Sequence, residues 1–141
     1  MNRLLVVGIT TALGGISCTA FAQTHSAKQE ISTAHAHALL AQSATSVAMA
    51  QTHLHHVINC LVGPGGSGFD AAAGTPCKGQ GNGAIPDSAN DHALHAKLES
   101  ALMDAQAGLK SESLAAVQQD AGKVAAGLQG ASTATASSSS W

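Results

Sequence analysis

Residues 51–62 read QTHLHHVINCLV, with three histidines in four positions (His53, His55, His56) and a cysteine, Cys60, shortly after. Imidazole changes charge near neutral pH and is the commonest nitrogen ligand for borderline transition metals. On a helix, residues at i and i+3 share a face, so His53 and His56 can act together while His55 points elsewhere. The same spacing returns in His92-Ala93-Leu94-His95. If the two segments are antiparallel helices joined by the chain between them, distance from the connection sets the level of each ring. His56 is six residues before Val62 and His92 five after Asp87; His53 is nine before and His95 eight after. Four imidazoles, His53, His56, His92 and His95, are therefore expected to converge. Met49 and Met103 lie further along as additional ligands.

Such a set suits Cu or Zn, with Ni or Co as further candidates, and a nearby thioether favours Cu(I). With no carboxylate close by in sequence, Ca and Mg are poorly served. Ligands must be deprotonated, so affinity should fall as the histidines protonate. Against this stands the plain alternative that a helical histidine is a surface or satisfied core residue. His35 and His37, with His25, are candidates for a second, weaker site, though the plain surface reading is preferred for these three. On a continuous helix these lie five turns, about 27 Å, from His53 and His55, and cannot complete the same site.

The compartment matters because thiols and disulfides behave differently on the two sides of a membrane. The opening MNRLLVVGITTALGGISCTAFAQ has one early positive charge, a short apolar run and Ala20-Phe21-Ala22, the small-x-small pattern that precedes signal-peptide cleavage. Residues 1–22 are therefore read as a leader, with the mature chain starting at Gln23. Gly15-Ile16-Ser17 is a poor lipobox, so lipoprotein anchoring at Cys18 is the lesser reading. Cleavage leaves Cys60 and Cys77, an even pair expected to form a disulfide in an oxidising periplasm. Nothing later is apolar enough to span a bilayer. The mature chain sets five lysines against eight carboxylates, a net charge of −3, and eight protonated histidines would bring it to +5. It carries no basic patch, so nucleic acid is not an expected partner.

These residues need elements to position them. From His25 to Val62 there is no Gly or Pro, and Ala, Leu, Gln and Lys favour helix. Gly63-Pro64 ends the run. Residues 63–86 are glycine-rich loop, uncommonly long unless stapled, and Cys60–Cys77 is the staple. Asp87-Ser88 is expected to cap a second helix running to about Ala107, with Gly108 breaking it. Ser111 or Ser113 starts a third that ends near Gly130. Apolar residues recur at helical spacing: Leu39, Leu40, Val47, Leu54, Val57, Ile58 and Leu61 form one stripe, about 100° wide, on the first helix. Ser43-Ala44-Thr45-Ser46 is the one place where that helix could break into two. Serine and threonine are weak breakers, so a single helix of about 55 Å is preferred.

The expected fold is all-α: a helical hairpin or small three- to four-helix bundle with a long first helix and a disulfide-stapled loop. The helical domain covers 23–130 and a disordered Ser/Ala-rich tail covers 131–141. A homodimer through the first helix is a candidate assembly.

No nucleophile motif or hydrolytic base accompanies the histidines, so the chain is not expected to be an enzyme. One alternative is a b-type haem bundle, which the near absence of aromatics, 2% of residues, disfavours. Another is a non-metal structural or interaction module. The stretch HLHHVINCLVGPGGSGFDAAAGTPCKGQGNGAIPD, with AHAHALL upstream, looks like a pattern found in small exported bacterial proteins. In size, export and histidine-laden helices the chain resembles the small periplasmic histidine-rich helical metal-binding proteins. That resemblance implies promiscuous binding of divalent metal, copper included. The cysteine-bounded glycine loop departs from that class.

Overall fold

The computed structural model describes the backbone of residues 19–137 and the side chains of residues 27–133. The predicted leader over 1–22, with Cys18, lies outside the described side chains, as do His25 and the end of the tail. The described chain is all-helical: α1 (Thr19–Gln42), α2 (Val47–Val62), a short turn of helix α3 (Ala84–Asp87), α4 (His92–Lys110) and α5 (Leu114–Ser137). A single 3-10 turn, Ala71–Ala73, lies in the glycine-rich loop. The four long helices close a ring in which α1 packs on α2 and α5, and α4 packs on α2 and α5. The result is a four-helix bundle built from two hairpins joined by the long connection over 63–91.

The first helix does not run unbroken to Val62. It stops at Gln42, and this break corrects the single long helix expected from sequence. Two local devices and one distant one make it. The Ser43 hydroxyl turns back to the carbonyls of Leu39 and Leu40. Ser46, in extended conformation, caps α2 by accepting from the Met49 amide at 3.2 Å. Gln118 of α5 donates to the Ala44 carbonyl at 2.9 Å, satisfying backbone that has left the helix.

The break resets the phase of the apolar pattern. In α1 the buried stripe is Ala27, Ile31, Ala34, Ala38 and Ala41, while Leu39 and Leu40 are 46% and 47% exposed. The leucines were assigned to the core only because they were placed on one wheel with α2. In α2 the expected stripe holds: Leu54, Val57, Ile58 and Leu61 are buried. Alanine at the α1 contact lets the neighbouring backbones approach closely. Gly108 serves the same end. It sits inside α4 rather than breaking it, and a Cβ there would run into Leu54 Cδ1. The cap of α4 is Asp91, which accepts from the Leu94 amide at 3.0 Å, not Asp87-Ser88. Helix α5 continues past Gly130 to Ser137, and Ala131 is in the core, so the first part of the expected disordered tail is helix.

The Cys60–Cys77 disulfide forms as expected, closing 17 residues of loop onto the end of α2. By the chain-entropy estimate such a closure contributes roughly 3 kcal/mol. Among the described residues no helix is long and apolar enough to cross a membrane.

Candidate metal centre

Breaking the first helix places its two halves as an antiparallel hairpin. His37, five residues before the end of α1, then stands beside His53, six after the start of α2. Their Nδ1 atoms are 3.2 Å apart, and His37 Nδ1 is 3.3 Å from His56 Nδ1. The ring centroids of His37 lie 5.4 Å from those of His53 and 4.6 Å from those of His56. One ligand atom from each of the three rings lies within 4.8 Å of the others, close enough to hold a metal ion, and no other such group occurs among the described residues. All three side chains are partly exposed, so the group opens to solvent.

The third ring is oriented from behind. His56 Nε2–H donates to the Ala73 carbonyl at 2.6 Å. With the proton on Nε2, the neutral ring presents a bare lone pair at Nδ1, toward His37. This is the carbonyl-fixed tautomer that metal-bound histidines commonly adopt. Ala73 is held in turn by α2. Asn59 donates through Nδ2 to the Asp70 and Gly74 carbonyls at 2.7 and 2.6 Å, and its Oδ1 accepts from the Asp70 amide at 2.8 Å. Asp70 caps the 3-10 turn through the Ala72 amide. Gly74 has φ +103, and a Cβ there would come within 3.2 Å of His56 Nε2, so both backbone and space call for glycine. The disulfide at Cys60, one residue beyond Asn59, ties the far end of the same loop down.

Burial and the neighbouring imidazoles push the His37 pKa down from 6.5 to about 4, and burial followed by the charge of His56 lowers that of His53. At neutral pH these rings are therefore neutral, the form that binds metal.

The expected ligand set divides. His53 and His56 are in the group, and His37 joins them. It had been assigned to a separate site 27 Å away, a distance that held only for a continuous helix. His92 and His95 are not in the group. His92 is exposed at the start of α4; His95 Nδ1–H donates to the Ile85 carbonyl at 3.1 Å, and its Nε2 faces Glu99 Oε1 at 3.4 Å. The first of these contacts ties α3 to α4, and the second lies within α4. The level argument failed because the connection between α2 and α4 is not a tight turn: α3 and its flanks intervene, and α2 meets α1 as its hairpin partner. Met49, one turn before His53, is 48% exposed, and Met103 is 70% exposed. His35 does not join His37 in a metal-binding group. His55 lies 3.7 Å from Asp70, on the loop side of α2.

Asn59, Asp70 and the Ala73 carbonyl were not anticipated. The only sequence signal for them was a polar residue, Asn59, within the apolar run before Cys60. Comparison with protein-family models, with curated proteins and with solved structures finds no match to the chain.

Proposed function

We propose that this is an exported protein that binds a transition metal through His37, His53 and His56 and serves to sequester, buffer or deliver it in the periplasm. The observation that carries the reading is the convergence of three imidazoles, one of them with its Nε2–H held by a backbone carbonyl. The disulfide supports an oxidising compartment, and the leader pattern over residues 1–22 supports export. Copper, zinc and nickel all accept imidazole ligands. Binding rather than catalysis is favoured because no carboxylate joins the three histidines to act as a base. The haem alternative finds little support: none of the histidines with described side chains is buried, and the core is a continuous aliphatic cluster rich in alanine.

The test is calorimetric titration of the mature chain with zinc and copper. The variant His37→Ala/His53→Ala/His56→Ala should lose stoichiometric binding, while His92→Ala/His95→Ala keeps it. Circular dichroism establishes that each variant is folded. Equal binding by the triple variant and the native chain overturns the proposal.

A further inference from the structure

The three nitrogens lie at hydrogen-bonding distances but carry too few protons to give each contact a hydrogen bond of its own. Two Nδ1···Nδ1 contacts, at 3.2 and 3.3 Å, share His37 as their common member. His56 has its proton on Nε2, where the Ala73 carbonyl takes it, and so brings only a lone pair. If His37 Nδ1 carries a proton, that one hydrogen must serve both contacts. If it does not, its contact with His56 sets lone pair against lone pair. A cation satisfies all three lone pairs together.

The spacing also says which coordination polyhedron the rings suit. With metal–nitrogen bonds of 2.0–2.1 Å, two ligands of a tetrahedron are about 3.3–3.4 Å apart. Adjacent ligands of a square plane or octahedron at the same bond length are only about 2.8–3.0 Å apart. Of the two observed contacts, the one at 3.3 Å meets the tetrahedral edge and the one at 3.2 Å lies nearer to it than to the square edge. The His53 and His56 rings, one helical turn apart, have centroids 5.8 Å apart and planes at 72°, so the two imidazoles differ in orientation.

Resting on the reading of these histidines as a metal site, we infer that they form a tetrahedral, Nδ1-ligated centre whose fourth position is left to an exogenous donor. Such a centre meets the geometric preference of zinc(II) and cobalt(II) rather than the square-planar or octahedral preference of copper(II) and nickel(II). Three protein ligands and an open fourth position leave the ion accessible, unlike a closed, four-ligand structural zinc site. Partial exposure of all three rings gives a small anion or a second donor access to the ion.

Cobalt(II) titration of the full chain tests this, because tetrahedral cobalt absorbs visible light an order of magnitude more strongly than octahedral cobalt. The expected result is an intense visible band at one equivalent, abolished by one equivalent of zinc but not by nickel, and shifted by thiocyanate. Cobalt that binds with only weak, octahedral absorption overturns the tetrahedral inference and leaves the metal reading standing. An intense band that thiocyanate does not shift, but that Met49→Leu does, overturns the open position. Binding of copper with no binding of cobalt or zinc overturns this inference and leaves the metal reading standing, whereas no binding of cobalt, zinc or copper overturns both.

Discussion

Glu30 and His37 stand two turns apart on the same side of α1, both beneath the glycine-rich loop, yet they have opposite fates. Glu30 is 1% exposed, and its Oε1 accepts from the Gly83 amide at 2.8 Å, while Oε2 has no partner. Burial, reinforced by nearby Asp87, pushes its pKa up from 4.5 to about 7. His37 is only partly buried, faces two other rings and has its pKa pushed down to about 4. Desolvation disfavours the charged form in both cases, and the opposite directions follow from the opposite charges of the two ionised groups. The loop decides the rest. It closes over Glu30 and seals the carboxyl in, whereas it reaches the histidines only through a carbonyl behind His56 and leaves their lone pairs facing one another.

The disulfide secures the loop that serves both regions, so its loss should have the largest effect. Cys60→Ser/Cys77→Ser is expected to lower stability by roughly 3 kcal/mol in a denaturant titration and also to weaken zinc binding, since Ala73 loses its anchorage. If zinc affinity is unchanged, Asn59 alone holds the loop on His56.

Metal should separate the two regions next. Zinc at a hundredfold excess over its dissociation constant is expected to raise unfolding free energy by about 2.7 kcal/mol, seen as a higher Tm. His37→Gln should abolish that gain and Glu30→Gln should keep it.

In the chelated, metal-free protein the two groups pull against each other. The depressed pKa of His37 means that its contribution is present above 6.5 and is lost as pH falls toward 4. The raised pKa of Glu30 means that its contribution is complete below 4.5 and is lost as pH rises through about 7. Stability should therefore vary little between these limits. Glu30→Gln should unmask a profile that rises with pH and should gain about 2 kcal/mol on the native chain at pH 8, the scale of an imperfectly paired buried group. His37→Gln should unmask a profile that falls as pH rises. Two unchanged profiles would mean that neither group is perturbed as described.

The smallest effect should come from the cap that makes the α1–α2 break. Ser46→Ala is expected to cost about 1 kcal/mol of stability. It should weaken zinc binding by loosening the turn that brings His37 to His53, while leaving the pH profile set by Glu30 unchanged.

Much of this fold was legible in the sequence. Helix content, the disulfide, the glycine-rich loop from Gly63 as far as Gly83 and the apolar face of α2 all follow from local propensity and spacing; the short helix α3 over Ala84–Asp87 does not. His53 and His56 were legible as a pair because i, i+3 is a property of one helix. Their third partner was not. A continuous helix drawn across Ser43–Ser46 set His37 several turns away from His53 and put Leu39 and Leu40 inside. The clue was the heptad-like run Ala27, Ile31, Ala34, Ala38, Ala41, which competes with the leucines for the core and wins because small residues allow the close approach that α1 makes to its neighbours.

Local spacing alone settled which stretches coil, which cysteines can meet, and that α2 presents two imidazoles on one side; several helix ends it did not settle. Which third ring faces them was decided only in three dimensions. That choice depends on how α1 turns back at Ser43–Ser46, on Gln118 of α5 accommodating the turn, and on a carbonyl 17 residues beyond His56 setting its tautomer. Contacts between elements far apart in the chain fix these things, and no periodicity within a single helix encodes them.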